Sequence, residues 1–364
     1  MTFELVVTRG KHLTVLSVPL ILLSLACGER GDPLIPTAIK AHDVFSSDSF
    51  GIPVRVLYHR GLLVLIDLAA DRPVHILDAR TGRFLGSPLR WGIGPGQVKS
   101  PWSLFASGGD ACVWDLGLQR VTCITLHRVS AETDSLRFAE SLPVRTETVR
   151  LTGQPTDVEA ADSTRVLAIV NSAADSGWVL LINRETGATV KSLGVAPFRD
   201  NPGTGDLVRN GDLEKHPLEQ LFVVSERYGG RLALLNLEGF AKWFDTPNPF
   251  EPIRGWDSVR GSIPGARRVW GYISIAANQE AVYGLFSGGV TTDRPRAEAY
   301  GTELHVFSWE GRLLEQFKLD VPALSLTVSP TGEVFTVAHL PTPNIRRYVV
   351  KPLPYVTHRT KSRL

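Results

Sequence analysis

Short apolar runs alternate with polar turns along most of the chain, and the turn phrase recurs. Val74-His75-Ile76-Leu77-Asp78 leads through Ala79-Arg80-Thr81-Gly82 into Arg83-Phe84-Leu85. Val179–Asn183 followed by Arg184-Glu185-Thr186-Gly187 repeats it, as do Leu232–Asn236 with Leu237-Glu238-Gly239 and Leu304–Ser308 with Trp309-Glu310-Gly311. Runs this short, bounded by Gly, Asp and Asn, are strands, and a hairpin repeated along a chain is a repeated blade. The pattern predicts an all-β, six-bladed β-propeller of four-stranded antiparallel blades.

Lettering strands A to D from the channel outwards, blade 1 is expected at Val54–His59, Leu62–Asp67, Val74–Asp78 and Phe84–Leu89. Blade 2 takes Trp102–Ala106, Ala111–Asp115, Arg120–Leu126 and a strand within Leu136–Arg150. Blade 3 takes Thr156–Ala160, Val166–Asn171, Trp178–Asn183 and Thr189–Leu193. Blade 4 begins near Leu207–Leu213, followed by Gln220–Ser225, Leu232–Asn236 and Ala241–Asp245. Blade 5 is Trp270–Ala276, Ala281–Phe286, Leu304–Ser308 and Leu313–Leu319, and blade 6 is Ala323–Ser329, Glu333–Ala338 and Ile345–Val350. Blade 6 lacks an outer strand, and Asp43–Phe50 is expected to supply it and close the ring.

Composition agrees with this reading. Of the 364 residues, 43% are hydrophobic and 21% charged, with 33 Gly and 24 Pro. That suits a packed core and many turns. The net charge of +2 excludes an argument for nucleic acid.

The N-terminus carries an address. Arg9, Lys11 and His12 precede an apolar run from Leu13 to Ala26, the length of a signal-peptide core. It ends Leu23-Ser24-Leu25-Ala26-Cys27-Gly28, which resembles a bacterial lipobox with Cys27 as the lipidated residue. Ser24 stands where an aliphatic residue is usual. Residues 1–27 are therefore expected to be a signal peptide, 28–42 a flexible tether, 43–352 the propeller and 353–364 a basic tail. Gly28, where an inner-membrane retention signal would place Asp, favours an outer-membrane or periplasm-facing address. Cys112 and Cys123 flank a hairpin turn at Gly117-Leu118, which sets them opposite each other as a cross-strand disulfide or as two buried thiols.

The run Gly92-Ile93-Gly94-Pro95-Gly96-Gln97-Val98 precedes Pro101-Trp102. With the repeated strands, it resembles the six-bladed, TolB-like propeller lipoproteins, the BF3164-like family in particular. In that family the run continues Glu-Phe where this chain has Gln97 and Val98. The resemblance implies an envelope location and a non-catalytic, binding-type role. A nucleotide loop is not expected here, because a strand rather than a helix follows the glycines.

Chemistry-bearing motifs are sparse. Asp200–Asp206 lacks the spacing of a calcium loop and reads as an Asx-type turn. No H-x-x-x-H pair and no G-x-S-x-G elbow is present. No cofactor, metal site or catalytic residue is assigned. Asp157, Glu226 and Asn210 are the candidates near the channel mouth for the alternative function, a metal-dependent, lactonase-like hydrolase or lyase acting at the central channel.

Loop lengths point elsewhere. Strand alternation puts A–B and C–D turns on one face and B–C and D–A loops on the other. The long segments, Arg90–Pro101, Gly194–Asp206, Thr246–Val269 and Ser287–Thr302, all belong to the second face. They and the Arg227-Tyr228 turn carry Arg254, Trp256, Arg260, Arg267, Arg268, Arg294 and Arg296, and Trp91 and Trp102 flank the Gly-Pro-Gly run. Arg among aromatics suits an envelope protein, peptide or glycan. The expected protein is a lipid-anchored, non-catalytic scaffold that binds through this face.

Overall fold

The computed structural model describes residues 35–46, 48, 50–126, 142–148, 155–170, 177–195, 210–247, 249–250, 256–257, 261–262, 268–291 and 300–350. These contain strands and turns but no helix. Six sheets form the blades, each antiparallel from inner strand to outer. Their inner strands are Pro53–His59, Pro101–Ser107, Pro155–Ala160, Leu213–Lys215, Tyr272–Ala277 and Ser325–Val328. Each inner strand approaches the next and the last approaches the first, so the sheets close a ring around a channel. The chain is a six-bladed β-propeller.

The sequence pattern has a packing cause. A blade is covered on both sheet faces by its neighbours, so its middle strands are apolar at every position. Leu62–Asp67 is buried throughout. Its side chains divide by the two-residue period of a strand. Leu62, Val64 and Ile66 pack with Ala111, Val113 and Ile124 of blade 2. Leu63 and Leu65 pack with Phe335, Val337 and Ile345 of blade 6. Cutting a fully buried Leu here to Ala costs about 2–5 kcal/mol.

The repeated turn phrase is explained by its Asx residue. The Asp78 carboxylate accepts the N–H groups of Arg80 and Thr81 and the Thr81 hydroxyl. Asn183 does the same for Glu185 and Thr186. Gly82, at φ +70°, then turns the chain into the outer strand. A Cβ at Gly82 would meet the Phe45 ring at 2.3 Å, so the glycine also seats the closing strand.

That closing strand is Asp43–Phe45, antiparallel to Asn344–Val349 as the fourth strand of blade 6. The closure is shorter than Asp43–Phe50. The expected tether is corrected: Thr37–Ile39 adds a fifth, parallel strand to Leu313–Ala323 of blade 5. Its backbone groups satisfy that sheet's outer edge, which would otherwise be unpaired. In blade 4 the inner strand is Leu213–Lys215 rather than Leu207–Leu213, and the outer is Gly239–Trp243 rather than Ala241–Asp245. The second blade's outer strand is Val144–Thr148. Cys112 and Cys123 stand directly opposite on neighbouring strands and are joined by a disulfide within the blade 2–3 core. Cys27, the tether before Ile35 and the tail 353–364 lie outside the described residues.

Candidate functional site

The described A–B turns gather around one mouth of the channel. His59 and Arg60 of blade 1, Gly108 of blade 2, His216 of blade 4, Asn278 of blade 5 and Pro330 of blade 6 all line it. This mouth holds a cavity of about 410 Å³, floored by Glu159 and Glu214. Below it the channel narrows to about 40 Å³ between Arg55, Asp157, Asp212 and the hydroxyl residues Ser274, Ser325 and Thr327.

The waist is closed by ion pairing. Arg55, from blade 1, reaches across to Asp212 of blade 4 with two hydrogen bonds of 2.9 and 3.0 Å. Arg227 donates a third, at 2.7 Å. Burial opposes ionisation of Asp212, but the two guanidinium groups hold its carboxyl below the usual range. Asp157 accepts the Leu213 N–H at 2.6 Å and the Val158 N–H at 3.0 Å. Burial, then the Asp212 charge, push Asp157 up to about 7. Glu159 is pushed up to about 8 by burial and, further, by Asp157. Glu214 is raised well above its ordinary value by burial and by Glu159. Four carboxylates from two adjacent inner strands thus share one channel wall.

Local sequence places them. Asp157 and Glu159 are two apart on one strand, and Asp212, just before the next, is two apart from Glu214 on it; each pair lines the channel. The intervening Val158 and Leu213 turn into the blade cores. The Asp-x-Glu spacing was visible in the sequence. What it lacked was the ring, which brings the two strands together.

The candidates named from sequence fall differently. Asp157 lines the waist; Glu226 is buried and paired with Arg231, and Asn210 accepts the Arg227 N–H through its carbonyl. Arg227 turns into the channel wall rather than outwards, because Asp212 captures it. Trp102 lies on the inner strand of blade 2, packs against the blade 2–3 core and donates to the Thr156 carbonyl at 2.7 Å. Tyr228 lies against Trp270 with ring centroids 4.9 Å apart. Trp91 stays 36% exposed while its indole N–H bonds the Ala70 carbonyl. Trp256 lies in a two-residue strand paired with Gly261–Ser262, and Arg268 in one paired with Val290–Thr291. Arg254, Arg260, Arg267, Arg294 and Arg296 lie outside the described residues, as does the Asp200–Asp206 turn.

Blade 1 contains a Ser–His–Asp line-up. Ser87 Oγ is 2.7 Å from His75 Nδ1, and His75 Nε2 is 3.5 Å from Asp67. The Asp67 carboxylate is already engaged by the N–H groups of Gly51, Ile52, Ala69 and Ala70, and His75 Nε2 meets it only at the 3.5 Å edge of hydrogen-bonding range. Asp115 holds Lys99, Ser100 and Leu118 in the same way in blade 2. These carboxylates brace loops. Among the described residues, no three His, Cys, Asp or Glu side chains are grouped to hold a metal ion.

No protein-family model matches the chain, and no curated protein matches it in sequence. Solved structures do match in shape. A member of the DUF4221 family from Bacteroides vulgatus is 12% identical, with a TM-score of 0.51 over 88% of this chain and 96% of that one. A "putative exported protein" from Bacteroides fragilis is 9% identical, with a TM-score of 0.51 over 84% of this chain and 89% of that one. The β-propeller domain of Cps50 (Swd1) from a Myceliophthora thermophila source is 14% identical, with a TM-score of 0.47 over 85% and 99%. At such identities the likeness is one of fold.

Proposed function

We propose that this chain is an envelope-anchored, non-catalytic binding propeller of the TolB-like lipoprotein kind, which docks a protein partner on its long-loop face. One observation carries the reading: exposed apolar side chains sit on neighbouring loops there. Leu340 is 62% exposed, Ile52 48%, Leu68 46%, Trp91 36% and Ile93 72%. Hydrogen bonds join the set. His339, beside Leu340, bonds the Pro53 carbonyl, next to Ile52. Leu68 donates its N–H to the Ile52 carbonyl, and Trp91 reaches Ala70. The set runs across blades 6 and 1 and onto the loop entering blade 2.

Isolated exposed apolar residues need no explanation, but several on neighbouring loops, a Trp among them, have the composition of an interface core. The rim rests on loops braced by Asp67, so it is presented by a rigid scaffold. Export is supported by the lipobox-like run before Cys27 and by the disulfide, which belongs to oxidising compartments.

A photo-crosslinking residue placed at Ile93 in living cells tests the docking. A discrete adduct is expected from position 93 and not from the exposed outer-strand position Val190, and Trp91→Ala removes it. Equal adducts at both positions would sink the reading. The anchor is tested by Cys27→Ser, which is expected to move the exported protein from the membrane pellet to the soluble fraction. A variant that still pellets contradicts lipidation.

A further inference from the structure

At the opposite end of the ring, the 410 Å³ mouth is built for a ligand of another kind. Its floor carries a carboxylate with spare capacity. Glu159 is 6% exposed, and one oxygen accepts its neighbour Ala160's N–H at 2.8 Å. Among the described residues the second oxygen makes no hydrogen bond or ion pair. A carboxylate accepts about four hydrogen bonds, so a group this deeply placed is under-used. Glu214 stands on the same floor, from the adjacent strand.

The local cations are committed elsewhere. Lys215 turns its ammonium to the Ala161 carbonyl at 2.7 Å. Arg55 and Arg227 are both spent on Asp212. The charges along this wall are four carboxylates against Arg55, Arg227 and Lys215, with Arg60 as a fourth cation at the rim.

The remaining described groups at the mouth make no bond to the second Glu159 oxygen. Nδ1 of His216 accepts the N–H groups of Leu218 and Glu219, which places the ring proton on Nε2. Trp309 packs edge-on against the His216 ring at 4.6 Å and donates to the Asn278 carbonyl, fixing this side of the wall. Burial, then Arg60, hold His59 below its usual value, so that ring is neutral near pH 7. Arg60 itself lies at the rim, over Gly109 of blade 2.

We propose that the channel mouth binds a small organic cation with a primary-amine head, with Glu159 and Glu214 as its counter-ions. An ammonium brings three donors and one positive charge, which match the unused Glu159 oxygen and the paired carboxylates of the floor. The cavity admits a short aliphatic amine, whose stem meets Tyr58, Val328 and Pro330. Without the ligand, protons take the cation's place: burial raises both carboxyls. Binding near neutral pH therefore expels a proton. This site is independent of the long-loop rim, so either reading fails without the other.

Isothermal titration calorimetry of the full chain with putrescine, in two buffers of different ionisation enthalpy, tests the proposal. Saturable binding with release of up to about one proton per ligand is expected near pH 7. Glu159→Gln and Glu214→Gln each weaken it by about tenfold or more, while leaving thermal unfolding at least as high as in the parent. Three outcomes overturn it: no saturable heat at millimolar putrescine, an affinity unchanged in both variants, or glutamate-dependent binding of Ca²⁺ with none of the amine.

Discussion

The two ends of this ring differ in what they offer and in how they are made. The A–B mouth is concave, buried and charged, with carboxylates from two inner strands at its floor. The long-loop rim is convex in chemistry rather than shape: apolar side chains stand exposed on loops pinned by a buried carboxylate. Short turns cannot reach over the channel, so that mouth stays open and its specificity comes from strands. Long loops carry their side chains away from the strands, so the other face is free to present apolar surface. On the two proposals, one scaffold would hold a small charged group at one end and a protein at the other.

The comparison is broken most severely by removing the residue that ties the channel together. Arg55→Ala strands Asp212 with one remaining cation inside the waist, and unfolding in denaturant is expected to show a loss of about 3–5 kcal/mol. A loss below about 1 kcal/mol would mean that the waist is open to water.

Next in size is the pH effect. Glu159 and Glu214 have folded-state pKa values raised above their unfolded values. Their native forms keep protons that the unfolded chain has released, so stability is highest below the unfolded pKa and falls as pH rises towards about 8. The melting temperature is expected to decline from about pH 5 to about pH 8, and Glu159→Gln flattens that decline and stabilises the protein at the upper end, by on the order of 1–3 kcal/mol. A melting temperature that rises across this window contradicts the buried-floor description.

The smallest stability effect is expected at the rim. Trp91→Ala or Ile93→Ala removes surface that the chain itself barely covers, so the change is within about 0.5 kcal/mol. A large loss at either position would show the rim to be part of the core.

Much of the fold was legible because burial between blades leaves a mark on sequence. Leu62-Leu63-Val64-Leu65-Ile66 is apolar at every position since one blade covers each face. The Asp78 and Asn183 turns were readable from their own side-chain chemistry. Thr37–Ile39 was not, because a three-residue edge strand is held by backbone hydrogen bonds and needs no side-chain pattern. Blade 4's inner strand was placed too early, because among the described residues the extended stretch is Leu213–Lys215. At the site level, Arg227 and Trp102 read as surface residues from their loop-like neighbourhoods. Asp212 and the Thr156 carbonyl, brought close only by ring closure, draw both inwards. Glu159 and Glu214 were missed for the same reason.

The central claim is that protein docking belongs to the long-loop rim. The most direct measurement is the yield of the in-cell crosslinked adduct from position 93 in three backgrounds: parent, Trp91→Ala with Leu68→Ala, and Glu159→Gln. The account predicts a discrete adduct in the parent, its loss in the rim double variant and full retention in Glu159→Gln. An adduct that survives the rim variant, or that disappears with Glu159→Gln, contradicts it.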